Sequence, residues 1–588
     1  MPFPAKRSSA LLISLLLAAC AGGGSFDTQN ISVNNDPPPA PKEWKDAESR
    51  PHQTPQQVEG IMQPALGYSM PIPRRNWSKL DQNGNRIPDG SDAEPYLKLN
   101  ADNVQAISGT TGTVPHEEKI TENLRNPNRP HRVITSKKNS GFQFVHAGFA
   151  YSDAGLEMIR KDGNGPIISA RTGFKGYVYY QGQTPATALP VGQTATYKGN
   201  WHYVTDAKQG RNGRLYGTND QFAGNRYGLL SNDDTGSFVK SYDSEFQADF
   251  AAKKLTGTLK ETLVTNHAQN TPEKTRYTIE ADIAGNRFRG KAKHLPDDTR
   301  LFASDSSLLE GGFYGDKAQE LAGKFLADDD SLFAVFAAKQ DSVLPAETVF
   351  DAKIIDKQNP QDAPQDLTTF GDVTALLVDG RTIPLYPADV KGFVMTTGNN
   401  GTTAEICCRN LDNVRFGILS RQGEMQQLFL QGERTPAAAM PQDGQAFYRG
   451  TWSAFISGPS EWAAAADNNA DSGNRAKFHV DFGNKTIVGE LMAAERLTPA
   501  FLINGTISGN GFTGTAKTGD RGFSLDPQNA NDPKTVHLKA AVSGGFYGDQ
   551  AQELGGAFSG SRSGYGHSNP DTQFGVVFGA KRQVKNNE

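Results

Sequence analysis

The sequence predicts a mainly β protein of two lobes, each a smaller β-rich region followed by a compact barrel. Three observations carry this: an internal duplication, strand-like alternation inside the duplicated segments, and a composition of glycine and aromatics without long helical windows. The chain has 588 residues, 62 of them glycine, with 9% aromatics and 36% hydrophobic residues. A length of that order accommodates several domains. Modest hydrophobicity suits strands that bury one face only, and glycine with aromatics favours strands and turns over helical bundles.

The duplication is unambiguous. Gly311 to Phe325 reads GGFYGDKAQELAGKF and returns at Gly544 to Phe558 as GGFYGDQAQELGGAF, twelve of fifteen positions being identical. Gln181 to Trp201 aligns with Gln431 to Trp452, Phe246 to Leu259 with Phe478 to Leu491, and Ile283 to Gly290 with Ile507 to Gly514. The order is kept, and copies this large are domains rather than solenoid units.

Within these segments residues alternate. Tyr197, Gly199, Trp201 and Tyr203 fall on one face and Lys198, Asn200 and His202 on the other; Phe478, Val480 and Phe482 oppose Lys477, His479 and Asp481. Apolar residues inside and charges outside describe a sheet wet on its outer face. A membrane barrel requires the reverse arrangement. Closely spaced strands with Gly/Asn turns predict a small barrel with a filled interior. The Ala-x-Glu-Leu of the repeated segment predicts one helical turn at a barrel end before a last strand, Phe333–Ala338 or Phe574–Ala580. Glu320 and Glu553 are expected to be charges fixed by local hydrogen bonds at that turn, since a catalytic pair split between duplicated lobes is disfavoured. Less repetitive stretches precede each barrel, with strand-like runs at Phe142–His146 and Thr374–Val378.

The N-terminus carries its own signal. Lys6 and Arg7 precede an apolar run from Ala10 to Leu17 that is too short to span a bilayer. Leu17-Ala18-Ala19-Cys20 then resembles a bacterial lipobox, which makes Cys20 the acylated first residue of the mature chain and residues 1–19 a signal peptide. Several acyl chains together anchor a protein stably. Ala21 lacks the aspartate that favours inner-membrane retention, so the outer membrane is expected. Residues 20–45 are rich in Gly, Ser, Asn and Pro and read as a flexible leader. About 25 such residues reach at most ~80–90 Å.

Chemistry is conspicuously missing. A net charge of −4 implies no nucleic-acid partner. The ten histidines are scattered and the three cysteines supply no Cys-x-x-Cys site, so no metal or cofactor is expected. No phosphate loop or nucleophile elbow stands in a convincing context. The chain reads as a binding protein, not an enzyme. Cys407 and Cys408 are adjacent. Neighbouring Cα atoms lie closer than is usual for a disulfide, whereas an oxidising surface disfavours free thiols, so a vicinal disulfide and two thiols are both open.

Taken together, Gly67-Tyr68 with Arg74-Arg75-Asn76-Trp77, Phe142-Gln-Phe-Val, Leu377-Val-Asp-Gly with Ile383-Pro-Leu, Cys407-Cys408-Arg-Asn-Leu, Phe429 to Thr435, the two GGFYG segments and Phe578 to Arg582 resemble the transferrin-binding protein B family of Gram-negative bacteria. The resemblance runs from the lipobox to the C-terminus. It implies two lobes, each a handle domain plus an eight-stranded antiparallel barrel, here divided as N-lobe handle 46–168, N-lobe barrel 169–342, C-lobe handle 343–425 and C-lobe barrel 426–588. It also implies capture of iron-loaded host transferrin at the cell surface, delivery to a TonB-dependent outer-membrane transporter, and a binding surface mainly on the N-lobe. Lactoferrin, a haem protein, or an adhesin or complement-evasion role are the alternatives. The long acidic C-lobe runs of the lactoferrin-binding paralogue are missing, the densest acidic run being Asp328–Asp330, which favours transferrin. For partner contacts, Phe142, Phe149, Tyr151, Met158 and Arg160 of the first handle are expected, because aromatics and Arg are enriched in hot spots. Arg211, Arg214, Tyr216, Phe222 and Tyr227, in a long polar loop, are the second group.

Overall fold

The computed structural model describes residues 44–585, except 51–65, 73–75, 82, 86, 88–98, 108–131, 136–140, 152–154, 174–175, 206–237, 265–272, 297–301, 368–374, 379–380, 386–393, 398–401, 459, 465–472, 495, 530–533 and 562–571. Two compact units emerge. One is residues 56–350 with 368–371; the other is residues 351–367 and 372–588 together with the N-terminal 55 residues.

In the first unit, eight antiparallel strands close into a barrel: Thr194–Thr205, Phe238–Asp249, Lys254–Val264, Glu273–Ala284, Arg287–His294, Ser306–Tyr314, Glu320–Leu326 and Leu332–Gln340. Alternation does the sorting. Tyr197, Trp201, Tyr203, Phe246, Leu255, Leu259, Phe288 and Phe336 point inward and are buried, while Lys198 and Lys254 stay in solvent. The second barrel repeats the plan with Gln445–Ser457, Arg475–Asp481, Thr486–Met492, Phe501–Ser508, Gly511–Lys517, Lys539–Tyr547, Glu553–Gly560 and Gln573–Lys585, the last pairing back to the first. Equivalent tryptophans lie at equivalent places: Trp201 Nε1 donates to the Lys260 carbonyl at 2.9 Å, and Trp452 Nε1 to the Met492 carbonyl at 3.0 Å.

Each barrel carries a handle. In the N-lobe a five-stranded sheet runs in the order Gln105–Ile107, Gly67–Ile72, Gly176–Gly182, Val145–Tyr151, Arg132–Thr135, beside a three-stranded sheet of Asn76–Lys79, Ile167–Gly173 and Gly155–Arg160. In the C-lobe the handle sheet has six strands, from Gln365–Asp366 through Phe350–Asp356, Glu424–Glu433, Val414–Arg421 and Thr402–Cys407 to Val394–Thr397. Handle residues Tyr68, Met70, Val145, Phe149 and Val178 share a core with Tyr314, Phe333, Val335 and Ala337 on the outside of the N-lobe barrel. The closing barrel strands are therefore apolar on both faces, which explains the uninterrupted burial of Leu332–Ala338.

The structure departs from expectation in three places. First, the handle strands Gly176–Gly182 and Glu424–Glu433 extend beyond residues 168 and 425. The repeat spans the end of one handle strand and the start of the barrel, so the repeat edge is not the domain edge. Second, no helical turn follows GGFYG. Gly315 and Ala318 have φ of 85° and 55°, and Gly548 and Ala551 have 87° and 59°. Left-handed residues at both positions turn the chain back into strands beginning at Glu320 and Glu553. Third, Trp44–Asp46 is a strand of the C-lobe barrel, paired with Gln583–Lys585, where a leader running into the N-lobe handle was expected.

Candidate functional site

The two glutamates of the repeat mark how each lobe is assembled. Glu320 accepts hydrogen bonds from the backbone N–H groups of Gln143, Phe144 and Val145 at 2.7, 2.8 and 2.8 Å. Glu553 accepts from those of Asp412, Asn413 and Val414 at 2.8, 2.9 and 3.2 Å. Each carboxylate thus clamps the entry of a handle strand about 140 to 175 residues away in sequence. These bonds are long-range, which corrects the expectation of a charge held locally at a turn. The tyrosine of the same motif makes a second contact. Tyr314 donates to the Leu66 carbonyl at 2.9 Å, and Tyr547 donates to Asp351 Oδ2 at 2.7 Å. Both rings lie against a glycine: a Cβ on Gly182 or Gly432 would sit 1.6 or 2.4 Å from the tyrosine ring. That steric demand accounts for the repeated Gln-Gly of the handle strands.

Electrostatics separate the lobes. Burial pushes the Glu320 carboxyl above its usual range despite its three N–H donors. Burial acts on Glu553 too, but the Lys581 ammonium at 2.8 Å and the backbone N–H donors together outweigh it and hold the carboxyl below that range. Around this ion pair stand Ser49 and Asp412: Ser49 Oγ lies 2.8 Å from Glu553 and is in hydrogen-bond contact with Asp412 and Lys581, while Lys581 is 3.2 Å from Asp412. Lys581 is 3% exposed, whereas its N-lobe counterpart Lys339 is exposed. In the C-lobe, Asp351 also receives Arg434 in a two-pronged contact at 2.6 and 2.9 Å. Cys407 and Cys408 are joined as a vicinal disulfide and buried in the handle core beside Phe416 and Leu411.

Of the expected contact residues, the structure brings a pair together and disperses the rest. Met158 and Arg160 lie two apart on Gly155–Arg160, both exposed. Arg160 Nη1 donates to the Gly165 carbonyl at 3.2 Å, bridging its own hairpin. Phe142 and Phe149 are corrected to core residues, at 3% and 1% exposure. Phe149 packs edge-on to His202 of the barrel with ring centroids 5.4 Å apart. A buried phenylalanine and a contact phenylalanine obey the same alternation, so pattern alone could not part them. Tyr151 ends its strand opposite Arg132 and Gly176. Arg211, Arg214, Tyr216, Phe222, Tyr227 and Cys20 lie outside the described residues.

Sequence reasoning missed two neighbours of Met158. Leu156 is 58% exposed, Met158 48%, and Ile168 42%. Ile168 occupies a bulge between the pairs Ile159–Ser169 and Arg160–Ile167. The hairpin thus holds three large apolar side chains in solvent. The available signal was the alternation Leu156-x-Met158-x-Arg160 in a strand with few apolar residues on its other side.

Comparison with known proteins decides the family. Residues 43–186 match the profile described as "N-Lobe handle Tf-binding protein B", residues 189–340 and 440–582 "C-lobe and N-lobe beta barrels of Tf-binding protein B", and residues 347–435 "C-lobe handle domain of Tf-binding protein B". The chain belongs to the transferrin-binding protein B family. It is 36% identical to transferrin-binding protein B of Neisseria meningitidis serogroup B over 630 residues, covering 99% of both chains. It is 31% identical to that of Haemophilus influenzae strain KW20, covering 98% of each. Among solved structures, a transferrin-binding protein B variant from Haemophilus parasuis matches with a TM-score of 0.71 at 36% identity, over 92% of this chain and all of that one. An intact two-lobed relative matches at 0.69 and 35%, again over 92% of this chain and all of the other. Family membership carries the bilobed handle-and-barrel fold with it.

Proposed function

We propose that this chain is an outer-membrane surface lipoprotein that captures iron-loaded host transferrin and hands it to a TonB-dependent transporter. The observation that carries the reading is the match, in order and over almost the full chain, to all four modules of the family. The exposed Leu156–Met158–Ile168 hairpin, which also carries Arg160, supports placing the contact on the N-lobe handle; Tyr151 and the Arg/Tyr-rich segment 206–234 are the further candidates from the sequence. Phe142 and Phe149 belong to the core between handle and barrel and are not part of that surface. Acylation of Cys20 would hold the protein at the membrane by several chains.

Immobilised full-length protein should bind iron-loaded transferrin more tightly than the apo form. Leu156→Asp with Met158→Asp should weaken binding by about tenfold or more, on the order of 1.4–3 kcal/mol. Absence of binding to either form would remove the reading; equal binding would remove only the iron-state preference. Cys20→Ala should abolish labelling by a fatty-acid analogue and release the protein from the membrane fraction.

A further inference from the structure

Duplication supplies an internal control for every outward-facing position, and one face fails to match. On the N-lobe barrel, Thr196 pairs across the strands with Gln247 and then Thr256, and Lys198 pairs with Glu245 and then Thr258. Asp243 lies two residues before Glu245 on the same face. At the corresponding places of the C-lobe barrel, Phe447 pairs with His479 and then Val488, and Arg449 pairs with Lys477 and then Glu490. Arg475 replaces Asp243. Two acids have become two bases, and a row of polar side chains has become an aromatic and apolar one.

The N-lobe version is electrically complete. Lys198 lies 2.7 Å from Asp341, and Lys260 bridges Glu245 and Glu273 at 3.3 and 3.4 Å. Asp243 accepts from Thr262 at 2.8 Å. The C-lobe version is not. The Lys477 ammonium makes no hydrogen bond or close ion pair among the described residues; Arg449 faces it across one strand pair and Glu490 across the other. Arg475 spends one Nη on the Arg496 carbonyl at 3.2 Å, and its Nε is buried without an acceptor. Like charges directly opposite one another destabilise a sheet. Burial, then Arg449 and Arg475, hold the Lys477 ammonium below its usual range, and Glu490 offsets only part. Beside the cations, the Arg449 guanidinium stacks 4.7 Å above the Phe447 ring, whose centroid is 4.7 Å from that of His479, and Val488 is 49% exposed.

We infer that the C-lobe barrel face formed by Phe447, Arg449, Arg475, Lys477, His479 and Val488 docks an acidic, aromatic-bearing segment of a partner protein. Three partly exposed cations on one face, Arg449, Arg475 and Lys477, call for carboxylates. Arginine over an aromatic ring next to exposed apolar surface is the composition of protein hot spots rather than of a purely ionic membrane contact. This surface lies on the other lobe from the hairpin assigned to transferrin, and the inference goes beyond that reading.

The test uses the full chain and a fluorescein-labelled peptide of five Glu-Tyr repeats. Fluorescence polarisation should show saturable, salt-sensitive binding. It should weaken about tenfold or more in Arg475→Asp/Lys477→Glu, which installs the sister lobe's own residues, checked for folding by circular dichroism melting. Phe447→Thr/His479→Gln, built on the same logic, should weaken it while leaving every charge in place and serves if the first variant does not fold. Carbodiimide coupling should join Lys477 to the peptide. The inference is overturned if the peptide does not saturate, or if both variants bind it like the parent. Vesicles containing anionic phospholipid binding at this face while the peptide does not would also overturn it. So would coupling of Lys477 to Asp467 or Asp471 of its own chain in place of the peptide.

Discussion

The two lobes share a frame and differ in how each is sealed. In both, a barrel glutamate takes three backbone N–H groups from the handle and a tyrosine rests on a handle glycine. In the C-lobe the glutamate gains a buried lysine and the N-terminal strand; in the N-lobe the equivalent lysine faces water. The cause is three residues of overhang. The last C-lobe strand continues through Gln583–Lys585 and offers an edge to Trp44–Asp46, whereas the last N-lobe strand stops at Gln340. Asp46 receives Asn410 and Gln583 at 2.8 and 2.7 Å, and the Arg50 carbonyl accepts from Asn413 Nδ2 at 3.0 Å. A duplicated clamp has thereby been recruited in one copy to hold the N-terminal segment.

This contrast can be broken most forcefully at Glu553. Glu553→Gln leaves Lys581 buried with a weakened partner and should cost about 3–5 kcal/mol. Glu320→Gln, lacking a buried cation, should cost about 1 kcal/mol for each hydrogen bond lost. Hydrogen exchange of the full chain, resolved by lobe, reads both. The pH dependence should differ in sign. Glu553 has a lowered carboxyl pKa in the fold, so its stabilisation is present above the unfolded value of about 4.3 and is lost as pH falls through the folded value. Glu320 is raised, so its contribution is complete below the unfolded value and is lost as pH rises through the folded one. Acidification should therefore loosen protection at Asp412–Val414 while keeping or raising it at Gln143–Val145; identical profiles would erase the distinction.

Barrel interiors provide the next contrast. Arg276 and Glu261 form an ion pair inside the N-lobe barrel with contacts of 2.5 and 2.7 Å at 2% and 4% side-chain exposure, and the guanidinium lies 4.9 Å from the Phe302 ring. The bulge opposite Leu259–Lys260 turns Arg276 inward. The C-lobe places Ala493 and Ala500 there, both buried, with Trp462 packed against the same core. Arg276→Ala should destabilise the N-lobe by about 3 kcal/mol by stranding Glu261, and adding Glu261→Ala should recover part of that loss in a double-mutant cycle. Tyr314→Phe should cost about 1 kcal/mol, one hydrogen bond to the Leu66 carbonyl. The smallest effect belongs to Ser49→Ala, about 0.5–1 kcal/mol, confined to the C-lobe because Lys581 keeps Glu553 and Asp412.

Much of the site was hidden for one reason. Alternation tells which residues share a face, but a face covered by another sheet and a face covered by a partner look the same in sequence. Phe149 and Met158 illustrate it: one lies under the barrel's Val335 and His202, the other in water. The helical turn expected after GGFYG failed because the propensity of even good helix formers such as Ala, Leu and Glu is worth only a fraction of a kcal/mol per residue, and two left-handed residues with the handle contacts override it.

By itself, the sequence determined the duplication, the strands and their inward faces, the order of handle and barrel, and the family. All of these rest on local alternation or on residues repeated at matching positions. Only the tertiary structure decided that Trp44–Asp46 belongs to the C-lobe barrel, that Glu320 and Glu553 are clamps on distant handle strands, and that Arg449 faces Lys477 across the strands. Those facts depend on backbone hydrogen bonds and cross-strand register between residues far apart in the chain, and a backbone donor or an open strand edge leaves no mark on the side chains that precede and follow it.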